Sequence, residues 1–166
     1  LQIIEINKKM VGINTLLTNK ITNEGLKLKK IKDLKKFVNI KNEVKFSENT
    51  RFDFLLTSKK EKCFLEVKNV TLTREKKIVE FPDAITSRGT KHLLELIKAK
   101  KQGYHAYILY LIQIEGCDLF KIAKDIDPEY KITYDRAIKC GVKILCYDCK
   151  LNSEEIKLNR QIKYES

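Results

Sequence analysis

The sequence lacks any apolar run approaching the length of a bilayer span, which argues against a spanning helix. Its longest such run, Tyr104 to Ile114, suits a buried strand. It also lacks internal repeats, low-complexity linkers and a second CxxC to match Cys146-x-x-Cys149. His92 and His105 lie far upstream of that pair, so a closed four-ligand zinc site is short of partners. Five cysteines are an odd number, and no secretory signal opens the chain, so a reduced, cytoplasmic setting is expected.

What is present bounds the rest. With 166 residues, 43% of them hydrophobic and 34% charged, the chain reads as one globular domain, residues 1–166, with a real core. The formal charge of +12 favours a polyanionic partner such as nucleic acid. The plain alternative is that lysine spread along the whole chain reflects an AT-rich genome. The chain opens on a strand, Leu1 to Ile6, without a starting methionine, which suggests that a segment precedes it.

The most informative stretch is a pair of short apolar strands, Arg51 to Leu56 and Cys63 to Lys68, joined by the polar run Thr57 to Lys62. Strand side chains alternate faces, so Glu66 and Lys68 share one face while Leu65 and Val67 take the other. With Lys59-Lys60 at the centre of the turn, Asp53 falls opposite Glu66. Two carboxylates and a lysine converging on a core-like hairpin are costly unless a cation binds there, and a divalent metal is the expected one. Phosphodiester hydrolysis needs such an ion and a cation near the developing charge. Asp53 and Glu66 would supply hard oxygen ligands for Mg²⁺ or Mn²⁺, and the Val67 main-chain carbonyl a third. Lys68 would orient the attacking water or stabilise the transition state. The plain alternative is a salt bridge of Lys68 with Asp53 or Glu66 on a solvated sheet face.

The triplet alone selects nothing: seven acid-x-Lys triplets begin at Asp33, Glu43, Glu66, Glu75, Glu129, Asp148 and Glu155. Only Glu66 has apolar flanks and an Asp-bearing strand at hairpin distance before it. Pro82-Asp83 comes after the Glu-x-Lys and is a decoy.

Around the hairpin, a turn at Asn7-Lys8-Lys9 precedes a helix capped at Asn14-Thr15 and running from Leu16 to about Lys30. Leu17, Ile21, Glu24 and Leu28 form one face of it, so Glu24 is an acid on an apolar stripe; it either assists the metal site or marks a boundary at Gly25. Residues 31–41 show no clear period, and Glu43 to Phe46 is a short extended piece. Ile78 to Asp83 is another. Ser87 opens a helix through about Lys101, closed by Gly103; its start carries Arg88 and Lys91 and is either an anion site or a solvated cap. Asp127-Pro128 starts a further helix ending at Cys140-Gly141, Val142 to Tyr147 is a strand, and Asp148 to Ser166 is expected to fray. The order implies an α/β domain with a central mixed sheet.

With these residues in place, the chain resembles the sugar fermentation stimulation protein A family over nearly its whole length. The resemblance rests on Asn14-Thr15, Arg51 to Leu56, Glu66 to Leu72, Phe81 to Leu93, Ile126-Asp127-Pro128 and Gly141 to Ile144. It implies a PD-(D/E)xK, restriction-endonuclease-like core, DNA as partner and metal-dependent nuclease activity. On that pattern Glu24 takes the first-helix acid position, Asp53 the strand acid, and Glu66 and Lys68 the Glu-x-Lys pair. Arg88, Gly89, Lys91 and His92 match the family's Arg-Gly-x-Lys-His-Leu stretch, which lines the site or grips phosphate; Arg51 is a further expected nucleic-acid contact. Family members also resemble an OB-like fold in their N-terminal part, to which residues 1–13 would be the link. Whether the acids are catalytic or structural, and whether the chain forms a homodimer, stay open at this point.

Overall fold

The computed structural model describes residues 3–6, 9–12 and 15–165. A six-stranded mixed sheet carries the fold. Its strands are β3 (Asn39–Ser47), β4 (Thr50–Thr57), β5 (Lys62–Val70), β8 (His105–Ile112), β10 (Lys143–Leu151) and β11 (Ile156–Gln161). Their spatial order is β11-β10-β8-β5-β4-β3, with β8 parallel to both its neighbours and the outer pairs antiparallel. The apolar run at Tyr104 to Ile114 thus becomes a central strand, as a strand covered on both faces should. Ile108, Tyr110 and Ile112 enter one core cluster and Leu109 and Leu111 the other.

Three helices cover the two faces. α1 (Thr18–Lys27) packs on the Leu109 side, while α2 (Ser87–Lys101) and α3 (Pro128–Lys139) pack on the Ile108 side. The α2 boundaries match the expected helix, and Gly103 beyond it has φ +92°, a conformation that a side chain resists. A smaller sheet, ordered β12-β9-β7-β6, adds β6 (Leu72–Glu75), β7 (Ile78–Phe81), β9 (Leu119–Ile122) and β12 (Lys163–Tyr164). A hairpin of β1 (Ile3–Ile6) and β2 (Lys9–Gly12) stands before α1. No helix among the described residues is long and apolar enough to cross a membrane.

Several expectations need correction. The short piece at Glu43 to Phe46 belongs to the nine-residue strand β3, whose largely exposed side chains hide it from any hydropathy pattern. The tail does not fray: Ile156 and Leu158 are buried, and Arg160 pairs with Asp148 at 2.9 Å. The first helix opens as a 3-10 turn, Thr15–Leu17, and its buried face is Thr18, Ile21, Thr22, Gly25 and Leu26. Two threonines and a glycine on that face carry no apolar signal. Gly25 does not bound the helix but lets it approach β11, since a Cβ there would come within 2.7 Å of Leu158 Cδ2. The Asn7-Lys8 turn and the Asn14 cap lie outside the described residues.

One buried carboxylate fixes two helix starts. Asp127 Oδ1 accepts the Tyr130 N–H at 3.0 Å, capping α3, while Oδ2 accepts the Thr86 N–H at 2.9 Å just before α2. Thr86 in turn caps α2 by accepting from Gly89 N–H at 3.0 Å. Replacing Asp127 by alanine removes both bonds and should lower stability by about 2–3 kcal/mol in urea unfolding. A loss under about 0.5 kcal/mol would show that the carboxylate does not hold the helix starts.

Candidate active site

The β4–β5 register pairs Phe54 with Leu65 and Thr57 with Lys62, which puts Asp53 next in line opposite Glu66, the register expected from the turn. The paired register ends at Phe54, because β4 turns over at Asp53. Phe52 packs with Phe46 and Phe64 on the α2–α3 side, whereas Phe54 packs on the α1 side. Residues two apart on a regular strand share a face, so the alternation breaks between them. On β3 the same place is marked by Glu43, at φ +51°, between the pairs Asn42–Phe54 and Val44–Phe52.

The break frees Asp53 to act through its side chain. Its Oδ2 accepts the Val67 N–H at 2.8 Å and its Oδ1 accepts from Asn19 Nδ2 at 2.7 Å. Burial pushes the Asp53 carboxyl up, and the neighbouring Glu66 charge adds to this, giving about 6 despite the opposing hydrogen bonds and Lys68. Glu66 is 3% exposed. Its Oε1 takes the Lys68 ammonium at 2.7 Å and also contacts His92 Nδ1, which lies 2.9 Å from Lys68 Nζ. Burial pushes Glu66 up as well, but the His92 hydrogen bond and the Lys68 charge outweigh it, leaving the carboxyl below its usual range. Glu66 Oε2 is buried with no hydrogen-bond partner.

Asp53, Glu66, Lys68 and His92 therefore come together, and Glu24 does not. Glu24 is exposed on α1, where its charge acts on Lys157. Five residues separate it from Asn19, which turns it roughly 140° around a helix from the side that meets Asp53. The contribution of α1 is the Asn19 amide, for which no local signal exists in the sequence. His92 is largely buried, with Nδ1 against Glu66 and Lys68, and also lines the cleft that holds Arg88 and Lys91. Asp83 is exposed. Cys146 and Cys149 are buried in opposite core clusters, and among the described residues no three His, Cys, Asp or Glu side chains form a ready metal cage.

A cleft of about 470 Å³ opens beside His92, between residues 45–51 and the start of α2. It gathers Arg51, Arg88 and Lys91 with Lys45, which sequence reasoning missed. Lys45 is directly across from Arg51 in the β3–β4 register, a like-charge pair that a strand interior disfavours. Among the described residues no carboxylate pairs with any of these four cations. A larger cleft, about 770 Å³, is different: Arg74 is bound by Glu80 and Asp125, and Lys121 by Glu75. Its charge is largely neutralised from within.

The fold thus belongs to the α/β class with a central mixed sheet flanked by helices. A family model described as the sugar fermentation stimulation protein RE domain (SfsA) matches residues 16–155, and the chain belongs to that family. It is similar to the sugar fermentation stimulation protein homolog of Pelagibacter ubique, 55% identical over 163 residues, covering 98% of this chain and 70% of that protein. The Bartonella quintana homolog is 41% identical over 167 residues, covering 100% of this chain and 71% of its own length. A solved structure of Pyrococcus furiosus SfsA in complex with Ca²⁺ superimposes with a TM-score of 0.91 at 28% identity, covering 100% of this chain and 71% of that one.

The Asp53 shift has a consequence for stability. A carboxyl held near 6 in the folded chain, against an ordinary 3.8, keeps a proton that the unfolded chain has released. Stability therefore falls as pH rises from about 4 through about 6, and the whole cost stands above that. Asp53→Asn should stabilise the fold at pH 8 by on the order of 1–2 kcal/mol, less than the full shift because the group is partly solvated. At pH 3.5 the gain should vanish. Equal urea stability of the two proteins at pH 8 would contradict the burial cost.

Proposed function

We propose that the chain binds DNA along the cationic cleft and hydrolyses its phosphodiester backbone with Mg²⁺ or Mn²⁺ held by Asp53 and Glu66. The observation that carries this reading is the pair of buried carboxylates at the end of the β4–β5 ladder with the Lys68 ammonium beside them. The donor set fits a hard divalent cation: the Glu66 Oε2 acceptor is buried without a partner, and burial together with the Glu66 charge pushes the Asp53 carboxyl up, a cost that a bound cation would offset. The Val67 carbonyl adds a further oxygen. A strand residue presents its N–H and C=O to the same edge, and the Val67 N–H meets Asp53 beyond the last β4 pair. The Ca²⁺ complex of the Pyrococcus furiosus relative supports the same reading. With only two carboxylates converging, water or substrate phosphate would complete the shell.

When bound, the cation polarises the phosphate and acidifies a water. The chain's own groups do the rest. Arg51, Arg88, Lys91 and Lys45 hold the backbone as counter-charges, and like charges that repel one another gain most from a polyanion. Lys68 carries the cation nearest the acids, placed to donate to a phosphate oxygen or to the attacking water. His92 keeps Lys68 and Glu66 in register from the α2 side.

A second reading has its own support. Lys68 and His92 both occupy Glu66 Oε1, which is also what a purely structural ion pair would show, and it fits a DNA-binding protein that keeps a nuclease fold without catalysis.

Cleavage of duplex and single-stranded DNA in Mn²⁺ separates the two. Asp53→Ala and Lys68→Ala should each lower the rate by at least about a hundredfold while leaving DNA affinity in chelator within about twofold. No cleavage by the wild-type chain, or residual cleavage unchanged in both variants, would leave the non-catalytic reading. In the same chelator, the Arg88→Ala, Lys91→Ala double variant should flatten the slope of log K against log salt by about one to two phosphate contacts. An unchanged slope would take DNA off this cleft.

A further inference from the structure

We infer that Asn19 is a positioning residue that sets the Asp53 carboxylate for metal binding, an inference that rests on the proposed metal site. Asp53 has two oxygens, and each accepts a single bond: Oδ2 from the Val67 N–H at 2.8 Å and Oδ1 from Asn19 Nδ2 at 2.7 Å. One bond alone would leave the carboxylate free to swing about its terminal torsion, which is broad for aspartate. Two bonds from two different elements fix its plane, and each oxygen keeps a lone pair for a cation.

The helix turn that carries Asn19 is braced through its neighbour Thr18. Gln113, fully buried just past β8, donates through Nε2 to Thr18 Oγ1 at 3.2 Å and to Asn69 Oδ1 at 2.6 Å. One amide thus ties the first turn of α1 to the residue that follows Lys68 on β5. The Gln113 backbone adds two more ties: its N–H donates to Val70 O at 3.0 Å and its carbonyl accepts the Gly12 N–H at 2.8 Å. Thr22 Oγ1 closes the turn by donating to Thr18 O at 2.9 Å. The polar side chains that line α1 against the sheet, Thr18, Asn19 and Thr22, place one amide on one carboxylate. A helix that only needed to cover the sheet would bury apolar groups at these positions, since each buried polar group requires a partner.

This also accounts for the departure at Glu24. The first helix contributes a neutral donor to Asp53, not a third acid to the ion, so the two carboxylates carry the charge of the site alone.

The test is Mn²⁺ titration calorimetry of the whole chain. Asn19→Leu keeps the volume and removes the donor; Asn19→Gln keeps the amide on a longer arm. Asn19→Leu should weaken Mn²⁺ binding at least tenfold and raise the Mn²⁺ concentration for half-maximal cleavage in step, with maximal turnover at saturating metal within about threefold of wild type. Asn19→Gln should lie between the two, and DNA affinity in chelator should not move. Wild-type Mn²⁺ affinity in Asn19→Leu, or lowered turnover with unchanged metal affinity, would overturn the inference and leave the metal site standing. No Mn²⁺ binding by the wild-type chain would remove the metal site and the inference together.

Discussion

Where the β4–β5 ladder stops, the Asp53 carboxylate takes the hydrogen bond from Val67 that a strand backbone would otherwise accept. That one substitution of side chain for main chain organises the rest. It opens a gap between two strands that are paired elsewhere, turns β4 so that Phe52 and Phe54 enter different cores, and leaves the outward edge of Val67 beside two acids. Asp53 and Glu66 are then held close enough to disfavour each other's charge, in a place where solvent screens little. The Lys68 ammonium and the His92 ring offset part of that cost at Glu66 Oε1. Nothing offsets it at Oε2, the open acceptor on which the proposed cation site rests.

The same site is coupled to the surface through α2. Arg88 and Lys91 face the cleft, and His92, one residue on, reaches the buried acid. A single helical turn therefore carries both the contacts suited to phosphate and a contact to the site that would act on it. The position of that turn is set by Asp127, the carboxylate that caps α3 and holds Thr86. Packing between α2 and α3 thus constrains the geometry around Glu66, since a shift of their starts would move His92 away from it.

How much of this was legible in the sequence follows from where each signal is stored. The hairpin register, the limits of α2, the Asp127-Pro128 helix start and the central strand were all readable, because caps, turn length and apolar runs are local. β3 and β11 were not, because an edge strand spends half its residues on solvent and leaves two or three inward positions to detect. The spacing of Leu17, Ile21 and Leu28 puts Glu24 on an apolar stripe, whereas the buried face of α1 also uses Thr18, Thr22 and Gly25. Asn19 and Lys45 were invisible for another reason. Asn19 matters only through a residue 34 positions away, and Lys45 only through its cross-strand partner Arg51.

The proposed chemistry requires Asp53 and Glu66 to share a divalent cation. The most direct measurement is anomalous diffraction from crystals soaked in Mn²⁺. The predicted result is an ion bonded to one oxygen of Asp53 and to Glu66 Oε2, with Lys68 and His92 still on Glu66 Oε1. A map with no ion between Asp53 and Glu66 and Mn²⁺ bound only elsewhere would contradict it.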